Sequence, residues 1–228
     1  LAAIRESTLL QEELEGPGQT WHRANTALAL WREASILGEY GDINLDRPHE
    51  ALAAFRQALD VAERLAVKDP EDKTHNQLAG EIARRMGDIL RTSDPTAALA
   101  AYDRGITRVL AAATANIATR RTQAALLAAS SYPLRSLHRP AEAKRRIEEA
   151  LELLKQTKDY PADRLELSSE TDLTLRALAD HYADTGDLSQ SVAVDQDLLR
   201  KVKAANPDLT NDLRNATYLS TAYAAFAR

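Results

Sequence analysis

Cysteine is absent from the 228 residues, which removes disulfides, thiolate catalysis and Cys-ligated zinc and leaves the redox compartment undecided. Aromatic residues make up only 5%, and glycine and proline stand at eight each. A chain so poor in rings and turn formers, yet 44% hydrophobic and rich in alanine, has the makeup of closely packed helices and not of sheets. Long apolar runs are missing too. The most hydrophobic stretch, around Leu126-Leu127-Ala128-Ala129, is short and flanked by arginine, so neither a membrane span nor a signal peptide is expected. Nor is there an excess of positive charge: the formal net charge is −5, which offers no global field to nucleic acid or an anionic membrane. The short basic runs Arg84-Arg85, Arg120-Arg121, Lys144-Arg145-Arg146 and Arg200-Lys201-Val202-Lys203 lie in helical segments, where neighbours diverge by about 100°, and they read as solvated faces.

The patterns of catalysis are also lacking. There is no Gly-x-Ser-x-Gly elbow, no glycine-rich phosphate loop after a strand, and neither the glycine loop nor the His-Arg-Asp loop of a kinase. Gly16-Pro17-Gly18 is too stiff and isolated to cradle phosphate. Five histidines, His22, His49, His75, His138 and His181, are the only nitrogen ligands for a metal, and none forms a His-x3-His pair. His181 has Asp184 one turn away, an arrangement better read as an ion pair or a packed ring than as a two-ligand site. Adjacent acids such as Glu12-Glu13 and Glu148-Glu149 diverge along their helices. An enzyme is not expected, and no catalytic residue, metal or cofactor is assigned.

What the chain does have is one stretch whose pattern returns, Met86 to Gly105. It reads as the turn between two antiparallel helices. Gly87 suits the left-handed position that ends a helix, and Asp94-Pro95 supplies an N-cap and a first helical residue. Beyond it Ala98, Tyr102 and Gly105 fall at i, i+4 and i+7, so two small residues and one ring share a face. The same face returns as Ala51, Phe55 and Ala58, as Ala143, Ile147 and Ala150, and as Ser191 followed by Asp195 where a large apolar residue would stand. Measured from the small residue that opens each second helix, the repeats lie 47, 45 and 48 residues apart.

The chain thus divides into one array over 1–228. A partial leading helix occupies 1–18, with Ile4, Leu9, Leu10 and Leu14 on one face. Unit one covers 19–69, with helices ending at Gly41-Asp42 and near Lys68. Unit two covers 70–114, its first helix ending at Met86 and its second running from Pro95 to about Ala113. Unit three covers 115–160, with a break at Tyr132-Pro133, since proline disfavours helical geometry in the residue before it. Unit four covers 161–206, with its turn at Gly186-Asp187 and a second helix from Leu188 to about Ala205. A capping helix fills 207–228. The chain opens on Leu1, not Met, and stops at Arg228 within a helical pattern, so it is expected to be a piece of something longer.

In the fourth unit Leu175, Leu178-Ala179, Tyr182, Gly186-Asp187 and Ser191 match the spacing of the Trp, Leu-Gly, Tyr, Gly-Asp and Ala of the tetratricopeptide repeat. Gly80 with Gly87, and Ala34 with Gly41, keep the same seven-residue separation. The chain therefore resembles a tetratricopeptide-repeat array with long units, the family's usual unit being about 34 residues. A period of about 40–47 residues would also suit HEAT or armadillo units; the Gly-Asp turn and the small–large–small face favour the tetratricopeptide reading. The phrases Arg-Met-Gly-Asp-Ile-Leu and Asp-Pro-Thr-Ala-Ala-Leu-Ala-Ala-Tyr resemble the repeat regions attached C-terminally to bacterial serine/threonine protein kinases. The resemblance implies an all-α, right-handed solenoid of antiparallel pairs, about ten helices in all. It also implies an interaction scaffold, regulatory or targeting, that takes a partner protein or peptide on a concave face lined by the first helix of each unit.

Carried over by spacing, that face comprises Leu28, Trp31, Arg32 and Ser35, then Thr74, Gln77, Leu78, Glu81, Arg84 and Arg85. It continues through Thr119, Thr122, Gln123 and Leu126, then Arg176, Ala177, Asp180 and Asp184, and ends with Arg214, Thr217 and Tyr218. Several arginines, each able to hold a carboxylate through two parallel hydrogen bonds, point to an acidic or C-terminal peptide. The family's Lys/Asn/Arg carboxylate clamp is not matched, because Trp31, Ser35 and Leu78 occupy its positions. The alternative is a structural or self-association spacer without a peptide ligand. Apolar residues on both end helices, including Leu219, Tyr223 and Phe226, lead to an expected weak homodimer through the termini. A cytoplasmic setting is expected, or an extracytoplasmic one if the chain is attached to a membrane-spanning kinase.

Overall fold

The structure, a computed structural model, describes Glu6 and residues 20–40, 44–111, 116–166 and 169–205. Among the described residues it contains eight helices and no strand: α1 Thr20–Gly38, α2 Pro48–Lys68, α3 Lys73–Leu90, α4 Pro95–Ala111, α5 Ile117–Ser136, α6 Pro140–Gln156, α7 Glu170–Asp184 and α8 Leu188–Ala205. The polar residues that start them are local and readable. The Asp72 carboxylate accepts from the backbone N–H of Thr74 at 2.8 Å and of His75 at 3.0 Å. Asp94 accepts from Ala97 N–H ahead of Pro95, Asn116 from Thr119 N–H, Ser169 from Asp172 N–H and Asp187 from Gln190 N–H. Each satisfies at least one donor that the helix itself cannot. α2 and α6 share a different start. Arg47 and Arg139 have nearly the same backbone angles, proline follows each, and each guanidinium pairs with the glutamate three residues on, Glu50 or Glu142.

The chain forms two compact units, Leu1–Leu126 and Leu127–Arg228. In the first, α1 packs on α2, α2 on α3 and α3 on α4, while α1 also touches α3. The repeated face fills the space between them: Ala51, Phe55, Ala58, Ala98 and Tyr102 are fully buried, and Gly105 is buried beside them. Phe55 and Tyr102, as fully covered large side chains, each contribute about 1.5–3 kcal/mol of apolar burial. In the second unit α6 packs on α7 and α7 on α8, and Ala143, Ile147 and Ala150 are fully buried. A core of Leu165, Leu175, Leu198 and Val202 completes it. Leu165 comes from the long connection before α7, which is held by Leu165 N–H to Lys201 carbonyl and Thr171 hydroxyl to Asp159 carbonyl.

Three expected boundaries move. α3 runs four residues past Met86, to Leu90, so Gly87 lies inside a helix and not at its left-handed end. Its reason is packing: a Cβ on Gly87 would come within 2.6 Å of the Tyr102 ring. α5 passes through Pro133 to Ser136. Proline there cannot donate to the Ala129 carbonyl, and just before it Ser130 and Ser131 turn their hydroxyls back onto the carbonyls of Leu127 and Ala128 at 2.7 and 2.6 Å. α1 ends at Gly38, short of Gly41-Asp42, which lies outside the described residues. The left-handed glycine does occur where expected in the fourth unit, at Gly186 with φ +85°. The leading helix over 1–14, apart from Glu6, and the capping helix over 207–228, with the terminal residues expected to dimerise, also lie outside the described residues. No described helix is long and apolar enough to cross a membrane.

Candidate binding face

In the first unit α1 and α3 present most of the expected residues. Trp31 is half-buried and Arg32 exposed on α1. Gln77, Glu81 and Arg85, four residues apart, form one stripe of α3 and are each half-buried. Arg85 Nη1 lies 2.5 Å from Oε1 of Glu39, the buried residue just past α1, and ties the two helices together. Beside this bridge the Arg91 guanidinium sits 3.9 Å over the exposed Tyr40 ring. Glu39, Tyr40 and Arg91 lie at helix ends and so escape a search by helical spacing.

Arg84, expected on the same face, is turned inward. It is 8% exposed; its Nε donates to Glu81 at 3.2 Å and its Nη1 to Asp88 at 3.2 Å. The other Asp88 oxygen accepts from the Tyr102 hydroxyl at 2.7 Å. Burial works against the Arg84 charge, but Asp88 and then Glu81 outweigh it and raise its pKa. Burial, and then the Asp88 charge, push the Tyr102 phenol well above its ordinary value. Arg84 therefore stays cationic and Tyr102 neutral, and the three groups join α3 to α4 as a closed network.

The candidates on α5 are covered as well: Thr119, Thr122, Gln123 and Leu126 are all buried. In the second unit Arg176 is held by both Asp172 oxygens at 3.0 and 3.1 Å, and Asp180 accepts from the Tyr132 hydroxyl at 2.9 Å. Arg135 occupies the rest of this face. Its Nε donates to Asp184 at 2.6 Å, its Nη1 reaches Ser131 Oγ and the Ala177 carbonyl, and its plane lies 4.5 Å over the Tyr132 ring. Asp184 is thus paired with Arg135 and not with His181. His181 is 4% exposed with no hydrogen-bond partner at Nδ1, and burial, then the charges of Arg135 and Lys144, lower its pKa. Tyr132 and Arg135 were not foreseen because the helix was expected to break at Tyr132-Pro133. Arg214, Thr217 and Tyr218 lie outside the described residues.

Among the described residues no three His, Asp or Glu side chains are grouped to hold a metal ion. The arrangement offers rows of hydrogen-bond donors and acceptors on helices, with Arg32 and Arg85 as the cations of the expected face that still reach solvent in the first unit. Among the described residues it defines an all-helical fold in which each unit packs helices against one another and buries a repeated face. No family model, curated protein or solved structure matches the chain.

Proposed function

We propose that the chain is a tetratricopeptide-like interaction scaffold, a right-handed solenoid of about ten helices that binds an extended acidic peptide or protein segment along its first helices. One observation carries the reading. In the first unit the second helices turn their whole small–large–small face inward, Ala51, Phe55, Ala58, Ala98 and Tyr102 being fully buried. The first helices, in contrast, keep Trp31, Arg32, Gln77, Glu81 and Arg85 at least partly in solvent. A peptide laid there meets fixed polar groups on a preorganised surface, which lowers the ordering cost of binding. Such a module suits a regulatory or targeting region of a larger protein, a serine/threonine kinase being one setting.

The test is a fluorescence-anisotropy titration of labelled acidic peptides against the chain and its Arg32→Ala and Arg85→Ala variants. Loss of one charge-assisted contact, about 1.5–3 kcal/mol, weakens binding roughly tenfold or more. Affinity that is the same in both variants and the parent would overturn the assignment of this face. Concentration-dependent self-association with no peptide bound by the parent would replace it with the spacer reading. Small-angle scattering of a curved, elongated particle is the matching result for the solenoid, and a compact sphere contradicts it.

A further inference from the structure

A second surface of the first unit lies on the side chains that α2 and α4 turn to solvent. A cleft of about 410 Å³ opens there between Asp60, Glu63, Arg64, Val67 and Lys68 of α2 and Arg108 of α4. The helical spacing of 60, 64, 67 and 68 brings these α2 residues onto one stripe. Its charges do not balance. Glu63 is gripped by Arg104 through Nε and Nη2 and is approached by Arg108 Nε at 3.4 Å, so one carboxylate serves two guanidiniums. Asp60 lies 3.8 Å from Arg104 as well. Arg64 and Lys68 make no ion pair or hydrogen bond among the described residues. Four cations therefore face two carboxylates in a chain whose net charge is −5, and the wall between them is Val67, 61% exposed.

We propose that this cleft docks a segment of a partner protein that carries Asp or Glu on either side of one aliphatic residue. Its carboxylates meet Arg64, Lys68 and Arg108, and its aliphatic side chain covers Val67. Charge complementarity argues for this occupant: the surplus is positive, local and already fixed in place at Arg108 by the Glu63 pair, so an acidic segment meets part of its counter-charge preorganised. The single apolar wall adds a requirement that a bare polyanion does not satisfy. This surface is separate from the stripe of Gln77, Glu81 and Arg85 on α3, and the proposal stands without it.

The experiment uses the whole chain, a fluorescein-labelled peptide of repeating Asp-Glu-Leu, the same peptide with Ser for Leu, and a single-stranded oligonucleotide of matched charge. Measured in an Arg32→Ala, Arg85→Ala background, where the first-helix face no longer contributes, Arg64→Glu with Lys68→Glu is expected to weaken Asp-Glu-Leu binding at least about tenfold, two charge contacts being reversed. Serine in the peptide, or Val67→Ser in the protein, is expected to weaken binding by several-fold. Both reversed residues are exposed, so the melting curve should not move; if it does, Arg64→Gln with Lys68→Gln gives the same reading without reversal. Binding that is indifferent to either double variant overturns the proposal. So does an oligonucleotide that binds as tightly and ignores Val67→Ser, which would mark a polyanion site. Loss of binding in Arg85→Ala alone would assign the peptide to the first-helix face.

Discussion

Of the three Gly-Asp dipeptides, Gly41-Asp42 lies outside the described residues, and the other two, Gly87-Asp88 in the first unit and Gly186-Asp187 in the second, do opposite things. Gly186 is a true turn residue: its φ is +85°, and a Cβ there would meet nothing within 4 Å. Asp187 follows as the cap of α8, accepting from Gln190 N–H at 3.2 Å. Gly87 lies within α3, where a Cβ would meet three atoms of the Tyr102 ring within 2.9 Å, and Asp88 is buried between Arg84 and Tyr102. One glycine is needed for its backbone freedom and the other for its lack of volume. The same letters therefore carry different energies, and substitution separates them.

Asp88→Ala should have the largest effect. It leaves the buried Arg84 with Glu81 alone and the Tyr102 hydroxyl without its acceptor, a loss of about 3–5 kcal/mol for breaking a buried charged pair. Urea unfolding gives the total, and hydrogen exchange should localise it to α3 and α4. Asp187→Ala, the same change in the other dipeptide, removes only an exposed cap. Gly87→Ala comes next, at about 1–3 kcal/mol, because the added methyl has only a fully buried ring to push against. In a double-mutant cycle with Tyr102→Leu the two effects should be strongly non-additive. Additive effects would mean that the Tyr102 ring is not what excludes a side chain at position 87.

This contrast also explains what could be read from the chain. α2 has the expected bounds and α8 the expected start, because Pro48, the Asp69-Pro70 break and the Asp187 cap act within a few residues of the ends they set. Gly87 misled because a glycine inside a helix costs only about 1 kcal/mol relative to alanine, and what justifies it is Tyr102, fifteen positions later and on another helix. One misplaced boundary then hid part of the site. With α3 ending at Met86, Asp88 is not one turn beyond Arg84, and the guanidinium looks available; with α3 reaching Leu90 it is paired. Likewise a break at Tyr132-Pro133 removes Arg135 from its place opposite Asp184. The α3 stripe of Gln77, Glu81 and Arg85 was legible because helical spacing alone sets it.

Gly186→Ala should cost about 1 kcal/mol, the lower end of left-handed strain for a residue with a side chain, since there is open space to receive the methyl. Gly186→Asn should cost less, because a short polar side chain tolerates that backbone. Thermal melting of both variants checks the order. Equal losses at Gly87→Ala and Gly186→Ala, with no difference for asparagine, would erase the distinction between the two glycines.

The smallest expected effect lies at Asp195, which stands where Phe55, Tyr102 and Ile147 stand in the other units. It is half-buried on α8. Burial, then the charge of Asp180 on α7, raise its pKa, and Arg176 opposes them without cancelling the shift. Folding therefore favours the protonated form. That contribution is complete below the carboxyl's unfolded value and is lost as pH rises through the raised folded value; above it the ionised group is a constant cost. Asp195→Asn removes the charge and keeps the shape, so at neutral pH it should stabilise the chain, by less than about 1 kcal/mol given solvent screening of a partly exposed group. The gain should shrink to nothing in acid, where the parent is already protonated. Urea midpoints of parent and variant across that range decide the matter: a variant less stable at neutral pH would show that the Asp195 carboxylate is wanted there, beside Arg176, in place of the large apolar residue of the other units.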